Sequence, residues 1–467
     1  MHKLHRAGLA LALAVPFGAM AQSSSSDVEA LRREIDAMRA DYEARLQALE
    51  QRVKAAEASA ARPAETATAA APPAAAPPAA APAAPTVTAS GGGGANAFNP
   101  ALSLILSGGY TRTSQNPSNY AITGFPLPSN AEIGPGTSGF SLAESELGFS
   151  ASIDPWLRGS ANISLHPDNS VSVEEAFIET TALDNGLSLK AGRFFSGIGY
   201  LNPQHSHTWD FVDNPLAYQA MLGTQFSSDG LQLKWIAPIE QYLELGAEVG
   251  RGNSYPGTDT NRNGAGMSAL YAHTGGDIGE SNSWRAGISV LSATATDQGL
   301  VGTNAAGATV NDIFNGNTRV WVVDGIWKWA PDGNATRTNF KLQGEYLRST
   351  RDGNLLYDIG GANAFGGYKV TQSGWYLQGV YQFMPRWRVG LRTERLDPGT
   401  PEFGLDSAAL FTSYRPRKNS LMVDFNPSEF SRIRLQFAQD RAREGYIDNQ
   451  IFLQYQMSLG AHGAHSY

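Results

Sequence analysis

The chain has 467 residues, 42% hydrophobic and 17% charged, with a formal net charge of −8. A helical membrane protein would need runs of about 18 or more apolar residues, and none occurs after the first two dozen positions. The mild acidity argues against a nucleic-acid partner, and the absence of cysteine excludes disulfides, thiolate metal sites and a lipoprotein anchor.

Residues 1–21 are predicted to be a signal peptide. His2, Lys3, His5 and Arg6 form a basic start, Ala7 to Val15 is a short apolar core, and Ala19-Met20-Ala21 is an A-x-A cleavage site. Residues 23–58 are predicted to form a helical coiled coil, opened by the Ser26/Glu29 capping box. Its seam is Val28, Leu31, Ile35, Met38 and Tyr42, then, after a stutter, Leu46, Leu49, Val53 and Ala56. Glu29/Arg33, Asp41/Arg45 and Glu50/Lys54 flank it as acid-to-base pairs one turn apart. The same stripe also suits a lone amphipathic helix, but its narrowness favours the coiled coil. Residues 59–99, rich in Ala, Pro, Thr and Gly, cannot bury a core and read as an extended tether.

From residue 100 to 467 the pattern changes to period two. Leu157, Gly159, Ala161, Ile163 and Leu165 alternate with Arg158, Ser160, Asn162, Ser164 and His166. Trp375, Leu377, Gly379, Tyr381 and Phe383 behave likewise, as do Ile433, Leu435 and Phe437. Asp154-Pro155, Asp184-Asn185-Gly186, Met384-Pro385 and Asn426-Pro427-Ser428 mark short turns, whereas 112–139, 252–264, 294–317 and 397–417 read as long polar loops. Alternating short and long connections, with Trp156, Trp235, Trp327, Trp329 and Trp387 at strand ends, predict an all-β transmembrane barrel of about 16 antiparallel strands, with 14–18 compatible. A soluble sandwich would alternate too, but here the polar face is charged or amide-bearing in strand after strand, leaving no dry core.

In such a barrel, selectivity comes from side chains lining the constriction. The alternation points Arg386, Arg388, Arg392, Arg432 and Arg434 into the lumen, and places Glu144, Glu146, Glu174 and Glu175 on earlier strands. Arginines cannot shed their charge, so such a wall attracts anions, and carboxylates across from it would set up a transverse field. The second candidate is the segment 196–228. His205, His207, Asp210 and Asp213 in it could hold a divalent ion, zinc included. They also suit hydrogen bonds that hold the loop to the inner wall, and the absence of a four-ligand spacing favours that reading. His462 and His465 near the end assign no site, and no nucleophile-elbow, H-E-x-x-H or P-loop motif is present, so no enzyme is expected.

Val173-Glu174-Glu175-Ala176-Phe177, Leu189 to Phe195, Leu201 to Asp213 and Gly460 to Tyr467 resemble a proteobacterial family of outer-membrane barrels with a coiled-coil N-terminus. Its members are often labelled TonB-dependent or zinc-regulated receptors. The helix-plus-linker start is also similar to trimeric coiled-coil porins of the phosphate-selective and dicarboxylate types. The resemblance implies a trimer embedded in outer-membrane lipid with the coiled coil in the periplasm, and makes His205, His207, Asp210 and Asp213 the place to seek zinc. Residues 100–467 leave no room for a plug domain beside a 22-stranded receptor barrel. The expected function is a porin-like channel for small hydrophilic, anionic solutes. The other readings are a plugless receptor for metal or metal-chelate, and a barrel that anchors the envelope.

Overall fold

A computed structural model describes residues 100–259, 263–404 and 410–460. The signal peptide, coiled coil, linker and terminal histidines expected from the sequence lie outside these residues. The strands are β1 (Ala101–Thr113), β2 (Gly139–Leu142), β3 (Ser145–Ser152), β4 (Leu157–Leu165), β5 (Val171–Thr180) and β6 (Leu187–Phe195). Then follow β7 (Ser227–Ile236), β8 (Tyr242–Gly250), β9 (Met267–Ile278), β10 (Asn282–Thr303), β11 (Thr309–Trp329) and β12 (Asn339–Tyr357). The last are β13 (Ala364–Met384), β14 (Trp387–Asp397), β15 (Arg417–Ser428), β16 (Ser431–Arg441) and β17 (Asp448–Gly460).

Each strand pairs antiparallel with its chain neighbour, except that β2 and β3 both pair with β1, and β17 returns to pair with β1, from Ser103↔Gly460 to Thr113↔Gln450. β2 and β3 pair successive stretches of β1, so they are one interrupted stave and the barrel closes with sixteen. Closure leaves no edge strand, which is what lets a sheet sit in lipid with every backbone group satisfied.

The burial pattern is that of an inside-out protein. On β14, Leu391 is 64% exposed while Arg392 beside it is 3% exposed. The outward row is apolar and the inward row polar, as the alternation predicts. Connections at one end are tight, such as 385–386 and 429–430, while the other end carries 114–138, 196–226, 251–266 and 398–416. That asymmetry assigns the tight end to the periplasm.

Two expectations need correction. Residues 294–317 are not a long loop: β10 and β11 run through most of them, turning at 304–308. β10–β13 have 19–22 residues, where about 9–11 span a bilayer, so they project beyond it. The lumen is also not uniformly polar. Met267, Ala269, Leu291, Val320, Val322, Leu347 and Leu396 face inward and form a buried cluster with two connections that fold into the barrel. Strands apolar on both faces are what a wall buried on its inner side requires. The Val320-Trp321-Val322-Val323 run already carries that signature.

Candidate functional site

The segment 196–226, between β6 and β7, folds into the lumen. Asn202 ties its ends together: Nδ2 donates to the carbonyls of Ser196 (2.8 Å) and Phe226 (2.9 Å), and Oδ1 accepts from the Phe226 amide (2.8 Å). A short helix, α1 (Leu216–Leu222), starts after Pro215 and ends at Gly223, whose φ of 64° is the left-handed cap that glycine tolerates. Ile198, Leu216, Tyr218, Met221, Leu222 and Phe226 are buried against the aliphatic part of the wall. Each such side chain contributes about 1.5–3 kcal/mol of burial.

Wall carboxylates capture the segment's backbone amides. Glu248 accepts from Ser196 Oγ (2.6 Å) and the Gly197 amide (2.8 Å). Glu345 accepts from the amides of Tyr200 and Leu201 (both 3.0 Å) and from the hydroxyls of Tyr218 (2.7 Å) and Tyr376 (2.6 Å). Glu394 accepts from the Leu216 amide at the start of α1 (2.5 Å).

The segment's side chains bridge two walls of opposite charge. On β3–β5 and just before them stand Glu144, Glu146, Glu174 and Glu175. A bulge makes this possible: Asn162 pairs with Glu175 and Ile163 with Val173, so Glu174 is an extra residue and two consecutive glutamates reach the same point. His205 sits among them, Nδ1 at 3.0 Å from Glu174 and 3.3 Å from Glu146, Nε2 at 2.9 Å from Glu175. Carboxylates beside both ring nitrogens favour the imidazolium, in which both nitrogens donate. Burial alone would lower its pKa, but the hydrogen bonds it donates to Glu146, Glu174 and Glu175 outweigh that and hold it well above the ordinary imidazole value. His207 Nδ1 lies 3.0 Å from Glu146, and Ser206 Oγ donates to Glu144 at 2.9 Å.

Two staves further round, past β1 and β17, begins the basic wall. Asp210 pairs with Lys341 (2.5 Å) and Arg388 (3.4 Å), and Asp213 with Lys418 (2.5 Å) and Arg392 (2.7 Å). Burial would raise both carboxyls, but these cations hold them below the usual carboxylate range. Arg434 is paired with Asp424 at 2.8 Å and, with Arg432, also donates to carbonyls of the segment: Arg432 to His207 (2.7 Å), Arg434 to Trp209 (2.8 Å).

Arg388, Arg392, Arg432 and Arg434 thus converge as the alternation predicts, and so do the four glutamates. Arg386 does not. It occupies the β13–β14 turn at φ 72°, exposed, because the two-residue turn interrupts the alternation there. His205, His207, Asp210 and Asp213 do not converge as a ligand set either, since the aspartates are claimed by the basic wall. Among the described residues, the atoms that could share an ion are those of Glu146, Glu174 and His205, all within 4.8 Å of one another. Sequence reasoning missed Lys341, Lys418 and Asp424. Period-two parity places all three inward, but their partners are fixed only by the insert.

Along β4–β10 the inward side chains Arg158, Phe177, Lys190, Lys234, Tyr242, Glu244 and Arg285 remain only partly buried. They line the water-accessible part of the lumen. Among relatives, the family model described as phosphate-selective porin O and P matches residues 155–396. The chain belongs to that family. It is therefore an outer-membrane porin, a channel rather than an enzyme. An uncharacterised protein of Aquifex aeolicus (strain VF5) is 29% identical over 395 residues, covering 79% of this porin and 80% of its own length. Solved structures with a similar barrel include an anion-selective porin from Comamonas acidovorans, 9% identical, covering 77% of this chain and 99% of that one, TM-score 0.46. Another is the outer-membrane channel DcaP of Acinetobacter baumannii, 12% identical, covering 77% and 96%, TM-score 0.44.

Proposed function

We propose that this porin passes small hydrophilic anions, phosphate-class solutes among them, and that it works as a trimer with residues 23–58 as a periplasmic coiled coil. The observation that carries the anion preference is the basic wall. Lys341 and Arg388 there keep 23% and 17% of their side chains accessible, and Arg432 answers to carbonyls and an amide rather than to a carboxylate in direct contact. Towards the periplasmic end Arg158, Lys190, Lys234 and Arg285 add positive charge beside Glu179 and Glu244. Fixed cations in a narrow, partly dehydrated passage concentrate anions. Planar-bilayer recording of the purified protein in a salt gradient tests this. Stepwise conductance with an anion-shifted reversal potential, reduced in Arg388→Glu, is expected. A cation-shifted potential would sink the preference, and silence would sink the open pore.

A second reading, cation capture at the acidic wall, is favoured by the convergence of Glu146, Glu174 and His205. A divalent ion there would displace the imidazolium proton. Zinc would then raise the thermal stability of the native protein but not of Glu174→Gln, and an equal response from both would exclude it.

A further inference from the structure

We propose that the outer wall of β12–β17 binds a phosphorylated glycolipid of the outward membrane leaflet, its phosphate on Arg395, Arg417 and Arg441 and an acyl chain in the groove beside them. The three arginines stand directly opposite one another on adjacent strands, Arg395↔Arg417 and Arg417↔Arg441. Like charges in that position repel, and an anion bound across the row would relieve all three. The alternation turns them outward: their neighbours Glu394, Lys418 and Asp440 are buried inside, while Arg395 and Arg417 are exposed and Arg441 half-buried. Among the described residues none of the three has an ion-pair partner, and the buried Arg441 Nε has no hydrogen-bond acceptor. The carboxylate closest to them in sequence on this face, Asp397, is held by a further arginine, Arg415, at 2.9 Å. By contrast, the outward pair Arg193–Asp229 across β6 and β7 neutralises itself at 2.7 Å.

What lies beside the arginines has the order of an amphiphile. Their register row continues into Trp375 and Tyr346, the aromatic residues that mark headgroup level. Two residues towards the periplasm, Thr393, Asn419, Gln439 and Asn449 form an outward polar row, with Thr393 Oγ donating to Asn419 at 2.8 Å. Two residues further the row is Leu342, Gly379, Leu391, Leu421, Phe437 and Ile451. The last two rows line an open groove of about 730 Å³, whose surface is mostly apolar. Guanidinium forks match phosphate oxygens, the amide row matches ester and amide linkages, and the apolar trough matches a chain. Gly379 leaves the trough open, because a side chain there would press on Phe340, 3.3 Å from its β-carbon.

The full-length porin, extracted in mild detergent, is examined by native mass spectrometry. It is then delipidated and mixed with vesicles carrying the phosphorylated glycolipid or its dephosphorylated form. Retained glycolipid is expected on the native protein, falling by about tenfold for each arginine replaced by alanine. The triple Arg→Lys variant should keep part of it, and Gly379→Phe should lose it with all charges intact. Heat-modified gel mobility verifies that each variant is a closed barrel. Equal retention by the triple alanine variant, or equal binding of the dephosphorylated lipid, would overturn the proposal. So would dissociation of the oligomer without loss of lipid, which would make this face a contact between copies.

Discussion

The two walls that grip the inserted segment carry opposite charges, and they differ in what can release them. On the basic wall the segment presents carboxylates, Asp210 and Asp213, to guanidinium and ammonium groups that stay charged at any physiological pH. On the acidic wall it presents histidine, whose charge is conditional. One attachment is permanent and the other titrates, so the segment has a fixed end and a releasable end within one lumen.

The permanent end is the place to look for the largest effect. Asp213→Ala strips Lys418 and Arg392 of a shared counter-charge while both remain buried; Asp440 and Glu394 still face them, so the cost stays below the about 3–5 kcal/mol of a buried charge left without any partner. The expected outcome is a markedly lower denaturation temperature and unstable current levels in bilayers. Unchanged stability would mean that Glu394 and Asp440 by themselves balance the two cations. Glu345→Ala should come next: it leaves two backbone amides and two tyrosine hydroxyls without their acceptor, and each group orphaned in a buried position costs about 1–3 kcal/mol. Susceptibility of the segment to protease in the folded protein is the measurement.

At the releasable end the effect is smaller and depends on pH. Because the folded state holds the His205 pKa above its unfolded value, the stabilisation is complete below the ordinary imidazole range. It is lost as pH rises through the raised value. Wild-type conductance should therefore become larger or noisier at alkaline pH, and His205→Asn should show that behaviour already at neutral pH with little further change. An identical pH profile for both would end the comparison. The smallest effect is a contrast within one strand. Arg388→Glu should move the reversal potential towards cations, whereas Arg386→Ala, in an exposed turn, should leave it unchanged and alter stability by no more than about 0.5 kcal/mol.

Much of this was legible in the chain because a barrel encodes itself in parity. Leu391 and Arg392 need no tertiary information to be assigned to opposite faces, and neither do Arg432 and Arg434. Parity fails where the chain leaves the ladder. Arg386 falls in a turn, and Glu174 enters the lumen beside Glu175 only because a bulge adds a residue to β5. The stretch 294–317 read as loop because its threonines, asparagines and glycines suggest turns. Pairing of β10 with β11 and of β11 with β12, and the apolar contacts of Leu300, Val310 and Phe314, overrode that local preference.

By itself, then, the sequence determined the barrel, its approximate strand number and the face on which each strand residue lies, since a two-residue period is a local property of the backbone. Which charges meet was decided only by the tertiary structure. His205 finds glutamates from two strands and Asp213 finds cations from two others, through contacts that span up to about two hundred residues of chain. Ion pairs depend on distance in space, and the folding of segment 196–226 into the lumen sets those distances.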